Sequence, residues 1–402
     1  MNELYLWLIT AVVTIVGLNT IVRLWSERER LWRDDLQEED RAFAWRVVIF
    51  LIFPLLTITD LRATMVASQW LGGYIKTWSY GVFWYSAVPA GLPSEHLFTP
   101  VLFAGAAVQF ALALCLLPAL FFRPHPFLAT IIGYTISFIL ALNLIIEPVI
   151  SAVGLGGSRW SLFMQTSTTE ERIMMFSIYG VLGILYFMAL SNRTVRMWFV
   201  DLSRPALSEK LRDAAQQVRH EPNNPYLVAR AAILFLRSGM AGEARKHFRR
   251  LRFLVPDSVY VPFVQAMLSY YKHDFKAARK SFLQASEFPY VDTSLKGVLL
   301  AASACAAFAE GDNHEALNLA ERALEFDEAS VVARMVKVDV FLRSGSKEQA
   351  GEEILNAIRR GLDLNLDNKL PLDSERVLNR VQTLEQQLQP AAAKKAPVSS
   401  AR

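Results

Sequence analysis

Two cysteines, Cys115 and Cys305, are all the thiol in this 402-residue chain, and both fall inside apolar runs. That excludes a disulfide framework and a cysteine metal site, and leaves buried free thiols as the plain reading. Histidine is scarce too, at six. His96 and His125 fall at opposite ends of one apolar run, so they cannot share a metal or a haem. No HExxH run occurs. Gly154-Leu155-Gly156-Gly157-Ser158 lacks the Gly-x-Ser-x-Gly frame of a serine hydrolase and reads as a flexible outer loop. Charged residues make up only 20%, and the net charge of +4 leaves no nucleic-acid footprint. No catalytic constellation remains, so neither enzyme activity nor a cofactor or metal is expected.

Apolar residues are abundant, at 53%, and mean hydropathy is +0.25. Residues 1–200 hold 13 Lys/Arg and 13 Asp/Glu, whereas residues 201–402 hold 29 and 25. The first half is thus too apolar for a soluble surface, and the second has ordinary soluble composition. Five runs can span a bilayer, which takes about 20 apolar residues: 4–22, 42–59, 97–122, 127–150 and 173–190. No Lys or Arg precedes the first run, so it reads as an uncleaved anchor rather than a signal peptide.

Arg23, Arg28, Arg30, Arg33, Arg41, Arg123, Arg193 and Arg196 fall in the odd-numbered connections. Only Arg62, Lys76, Arg159 and Arg172 fall in the even ones. The positive-inside rule then puts the N-terminus outside and residues 191–402 in the cytoplasm, as expected of a bacterial cytoplasmic (inner) membrane protein. For the second run two readings stand. Either Arg46 snorkels from a span starting near Ala42, or the helix continues and carries Asp60 and Arg62 into the bilayer. The ring-rich stretch 70–85 reads as interfacial helices, with a re-entrant segment as the alternative. Asp60, Arg62, Gln109, Asn143 and Glu147 are the candidate intramembrane polar site; Asn143 and Glu147, four apart, share a helix face.

Residues 200–388 repeat. Ala244, Ala278, Ala316 and Ala350 recur at intervals of 34, 38 and 34 residues, and the turn residues Gly239, His273, Gly311 and Gly345 keep that spacing. Four residues beyond each alanine stand Phe248, Phe282, Ala320 and Ile354. A unit of this kind is a helix–turn–helix that buries its apolar faces only by stacking on neighbours. Residues 225–364 therefore resemble the tetratricopeptide repeat family, in units 225–258, 259–292, 297–330 and 331–364. Pro256 matches the family's repeat-ending proline, while Tyr290, Glu328 and Leu362 depart from it. The family's large aromatic at the fourth position is replaced by Val228, Pro262, Leu300 and Arg334. Residues 203–220 read as an entry helix, 373–388 as a capping helix, and 389–402 as a disordered tail. The expected fold is all-α: a five-helix membrane bundle (1–200) followed by an α-solenoid (203–388).

The resemblance implies a groove lined by the first helix of each unit. Its candidate residues are Tyr226, Arg230, Arg237, Tyr260, Phe263, Met267, Tyr270, Tyr271, Phe308, Met335 and Arg343. The Lys, Asn and Arg with which one subclass clamps a peptide carboxylate are absent. An apolar groove of this kind suits an amphipathic helix or an apolar peptide, or it closes on the chain's own segments. Residues 203–292 carry +7 and residues 293–388 carry −5. Arg245, Lys246, Arg249, Arg250, Arg252, Lys272, Lys276, Arg279 and Lys280 form a basic patch, either facing anionic lipid or merely solvated. Together these features imply a membrane-anchored scaffold that binds protein partners and assembles a membrane complex, with no nucleic acid expected. The alternatives are an accessory factor in envelope biogenesis or secretion, and a transporter or membrane enzyme regulated by its repeats.

Overall fold

The computed structural model describes residues 3–33, 36, 38–82, 84–152, 159–359 and 374–395. The loop expected at 154–158 lies outside them. The chain divides into two compact units, Met1–Ser208 and Glu209–Arg402.

In the first unit the long helices are α1 (Glu3–Ser26), α2 (Glu39–Trp70), α3 (Glu95–Phe121) and α4 (Pro126–Ala152). They are followed by the short α5 (Arg159–Thr166), then α6 (Thr169–Ser191) and α7 (Arg193–Ser203). Proline is tolerated at the first position of α4, where the missing N–H costs nothing, and the His125 ring accepts the Phe127 amide. A reciprocal capping box between Thr168 and Glu171 starts α6. The outward faces are apolar: Ile15, Leu18, Leu114, Phe121, Ile184 and Phe187 are all exposed. Among the described residues six helices are long and apolar enough to cross a membrane, by length and composition. Five lie in this unit. The sixth, Thr293–Glu310, is an alanine-rich helix buried in the second unit.

Of the two readings of the second run the continued helix is the one observed, and one further expectation for this unit is corrected. The second apolar run does not stop at residue 59 but continues as helix to Trp70, through one π-helical turn at Val48–Ile52. The described residues of 71–85 form no helix, so the fold is not purely α-helical. Gly72, at φ 84°, leads out of α2 into an antiparallel hairpin of β1 (Tyr74–Gly81) and β2 (Trp84–Ala90), paired from Tyr74↔Ala90 to Gly81↔Trp84. Tyr, Ile, Thr and Trp are frequent in β1, and such side chains pack better on a pleated strand than on a helix.

The second unit contains helix pairs. After α8 (Pro205–His220) come α9 (Pro225–Arg237) with α10 (Ala241–Leu254), and α11 (Tyr260–Tyr270) with α12 (Phe275–Ser286). Then follow α13 (Thr293–Glu310) with α14 (Asn313–Phe326), and α15 (Val331–Arg343) with α16 (Lys347–Arg359). Side chains of Asn224, Asp274, Asp292, Asp312 and Ser330 cap five of these helices at their N-termini. Every intra-pair turn holds one left-handed residue: Gly239 (φ 82°), His273 (φ 61°), Gly311 (φ 95°) and Gly345 (φ 81°). The recurring alanines Ala244, Ala278, Ala316 and Ala350 are all buried, which lets the paired helices approach closely. The unit is a tetratricopeptide-like helix-pair array.

The chain's last helix, α17 (Ser374–Lys395), runs past the expected start of a disordered tail at residue 389. It does not act as an end cap: it packs on α9 and α13, the first helices of the first and third pairs.

Candidate functional site

The first candidate surface is the first-helix face of the repeats, and α17 covers part of it. Val377, Leu378 and Val381 are buried along one side of α17. Several of its polar residues find partners. Tyr226 Oη donates to Asn379 Oδ1 at 2.6 Å, and Glu375 faces Lys210 at 3.8 Å and Arg230 at 3.9 Å. Glu385 Oε1 accepts from Ser258 Oγ at 2.6 Å and Tyr290 Oη at 3.0 Å. Arg380 pairs with Asp292, whose other oxygen caps α13. Apolar contacts in the middle with polar and charged groups at the rim are the anatomy of a protein interface.

The expected groove residues divide. Tyr226, Arg230 and Tyr260 lie on the α17 side; burial and Glu385 push the Tyr260 hydroxyl up from its ordinary value. Phe263 is fully buried, its ring 6.3 Å from that of Phe282 on α12, so it belongs to the core of its own helix pair. Met267 is buried as well, and Tyr270 packs edge-on against Phe275. The Arg343 guanidinium lies 4.2 Å over the Phe308 ring. Met335 is half-buried, while Tyr271 and Arg237 are exposed. Cys305 is buried, and its thiol is pushed up to about 12, so it is an inert core residue.

In the basic patch, Arg245, Lys246, Arg249, Arg250 and Arg252 are exposed on α10, with Lys272, Lys276 and Lys280 exposed on or beside α12. Arg279 stands apart, bridging to Glu310 at 3.2 Å and Asp312 at 3.1 Å on the next pair.

The second candidate is a buried polar cluster in the first unit. Arg159 Nη2 donates to Asp60 Oδ2 at 2.8 Å and to Glu147 Oε1 at 2.6 Å, and its Nε stands 2.6 Å from Glu147 Oε2. Tyr85 Oη donates to Asp60 Oδ1 at 2.9 Å. Gln109 Nε2 lies 3.4 Å from Asp60 Oδ2, and Asn143 Nδ2 donates to Gln109 Oε1 at 2.7 Å. Gly105 makes room: a Cβ there would fall 1.3 Å from Asp60 Oδ1. The rings of Phe103, Phe163 and Tyr179 stand edge-on around Trp160, with centroids 4.9–5.7 Å away, and anchor the helix that carries Arg159.

Four of the five expected polar residues (Asp60, Gln109, Asn143 and Glu147) therefore meet, while Arg62 is exposed and outside the cluster. Arg159, expected as an outer-loop charge, is its centre and only 5% exposed at the side chain. Tyr85 and Gly105 were also missed, because no local spacing ties them to Asp60. Two carboxylates against one guanidinium leave the cluster one positive charge short of balance when both are ionised. Arg159 Nη1 and Asn143 Oδ1 are buried without a hydrogen-bond partner among the described residues. Asn143 lies in a π-helical turn, Leu142–Ile146, and Glu147 follows it directly; such turns recur at functional sites.

No family model and no curated protein matches the chain. Solved structures with similar helix arrangements include MamA, at 11% identity over 40% of this chain and 92% of that one, with a TM-score of 0.32. Another is a tetratricopeptide repeat protein from Parabacteroides merdae, at 15% identity over 63% of this chain and 93% of that one, with a TM-score of 0.35. At these scores the repeat fold rests on the helix pairs described above.

Proposed function

We propose that this chain is a membrane-anchored scaffold whose repeat array holds helical segments of protein partners in a membrane complex. The observation that carries this reading is the seat of α17. The first-helix face already accommodates an amphipathic helix, with buried Val377, Leu378 and Val381 and a paired polar rim. A partner helix with the same pattern fits the same surface. The membrane unit, with its N-terminus outside and residues 191–402 in the cytoplasm of a bacterial inner membrane, then keeps the array at the membrane. An impermeant maleimide should label a cysteine placed near Gln389 only after the membrane is opened, and labelling of intact cells would reverse the orientation.

The groove is tested by placing a photo-crosslinking phenylalanine at Tyr226 of the full chain in its native membrane. The wild type should crosslink to its own α17. Leu378→Asp with Val381→Asp should instead give crosslinks to a partner helix, and a peptide of residues 374–390 should compete with them. If the released variant crosslinks to nothing and binds no peptide, the scaffold reading fails.

The Asp60–Arg159–Glu147 cluster favours a second reading, in which the membrane unit has an activity of its own. Beside it lies an open apolar cleft of about 440 Å³ lined by Trp160, Phe176, Tyr179, Gly180 and Gly183. Loss of cellular function in Glu147→Gln, with partner crosslinking intact, would move the function to that unit.

A further inference from the structure

The geometry points to the outward face of α10 as a docking surface for anionic lipid, with Phe253 as its apolar anchor. Residues 245, 246, 249, 250 and 253 are all exposed, and their spacings of three and four put them on one stripe of the helix. Four are basic and the fifth is Phe253, 88% exposed and the most exposed large apolar side chain described in the second unit.

Among the described residues, only Lys246 of this stripe has a close acidic neighbour, Glu243 at 2.7 Å. Among the described residues Arg245, Arg249 and Arg250 have no ion pair at such a distance, and Arg252 flanks the stripe. Lys272, Lys276 and Lys280 extend the charge onto the neighbouring pair. The concentration is local, because residues 293–388 carry net −5. A solvated face needs charge but no exposed ring. A cationic stripe ending in an aromatic suits the headgroup zone, where arginines meet phosphate and the ring enters the acyl boundary. The occupant is therefore an anionic bilayer surface.

The test uses the full chain in nanodiscs of pure phosphatidylcholine, which leave the patch free. The chain carries Cys115→Ser and Phe253→Cys labelled with an environment-sensitive fluorophore. Added vesicles of phosphatidylcholine and phosphatidylglycerol should be captured, shift the emission blue and be quenched by doxyl-labelled acyl chains. Arg249→Glu with Arg250→Glu should weaken capture by well over tenfold, since each basic residue near such a surface contributes roughly fivefold. With the unlabelled chain, Phe253→Ala should weaken capture several-fold and leave thermal unfolding unchanged.

Equal capture by pure phosphatidylcholine vesicles, or no capture by either, overturns the proposal. So does a blue shift induced by an RNA oligonucleotide without vesicles, or one that needs only high protein concentration and points to a second copy of the chain. A chain that fails to enter nanodiscs at all contradicts the membrane reading instead, so the two failures are distinguishable.

Discussion

The two units solve the burial problem in opposite senses. In Met1–Ser208 the outward faces carry Ile, Leu and Phe while Asp60, Gln109, Asn143 and Arg159 are buried. In Glu209–Arg402 the interior is Ala, Leu and Val, and the charges stand outside. Even the two thiols divide this way: Cys115 is exposed and Cys305 buried. The same side-chain chemistry therefore has different energetic weight in the two units. A polar group inside the first is a paired structural element; in the second it is mostly a solvated rim.

Ion pairs give the largest test of that comparison. Arg159→Ala leaves Asp60 and Glu147 buried without their cation, and breaking a buried pair costs about 3–5 kcal/mol. Arg279→Ala removes a partly exposed cation from the more exposed Glu310 and Asp312 near the surface, where such bridges contribute about 0.2–1 kcal/mol. Thermal unfolding of the full chain in detergent, followed by intrinsic fluorescence, should show a large downward shift for the first and a small one for the second. Equal shifts would mean that the cluster around Arg159 is wet and that the contrast between the units is false.

Packing gives the next effect. Ala278 is fully buried where α12 meets its neighbours. Ala278→Trp adds an indole with no space to fill, and overpacking costs about 1–3 kcal/mol. Amide hydrogen exchange should report loosening across α11 to α13, with α3 and α4 of the first unit unchanged. An unaltered exchange pattern would show that the helix-pair register is misplaced.

The same contrast explains what the sequence disclosed. In the repeat unit each turn glycine and each buried alanine is set by neighbours within one helix pair, so a period of 34–38 residues exposes them directly. In the first unit the partners are distant in the chain: Asp60 and Arg159 are 99 residues apart. Composition disclosed that Asp60, Gln109, Asn143 and Glu147 were unusual but not that they meet. Arg159 looked like a loop charge because nothing in its local pattern marks a buried cation. The β1–β2 hairpin was hidden for a different reason, since aromatic residues serve membrane interfaces and strands equally well. The seat of α17 was equally illegible, because Val377, Leu378 and Val381 give an apolar stripe without saying what it covers.

The smallest effect tests the repeat logic at its one irregular turn. Three of the four left-handed turn positions are glycine, and the fourth is His273 at φ 61°. A side chain in that region costs about 1 kcal/mol or more through the clash of Cβ with the following carbonyl. Against this, the His273 ring lies edge-on to Phe275, centroids 5.6 Å apart, and such a contact contributes about 0.5–1.5 kcal/mol. His273 is exposed, so the contact falls near the lower end of that range. Glycine also returns some chain entropy to the unfolded state, which offsets part of the strain relief. The net expectation for His273→Gly is a stabilisation of a few tenths of a kcal/mol, read as a small rise in the unfolding midpoint. Gly311→Ala, at φ 95°, makes the opposite change and should destabilise by about 1 kcal/mol. If His273→Gly instead lowers the midpoint as far as Gly311→Ala does, the ring contact outweighs the backbone term. The four turns would then not be equivalent, and the second pair would be held by its aromatic side chains rather than by the turn geometry shared along the array.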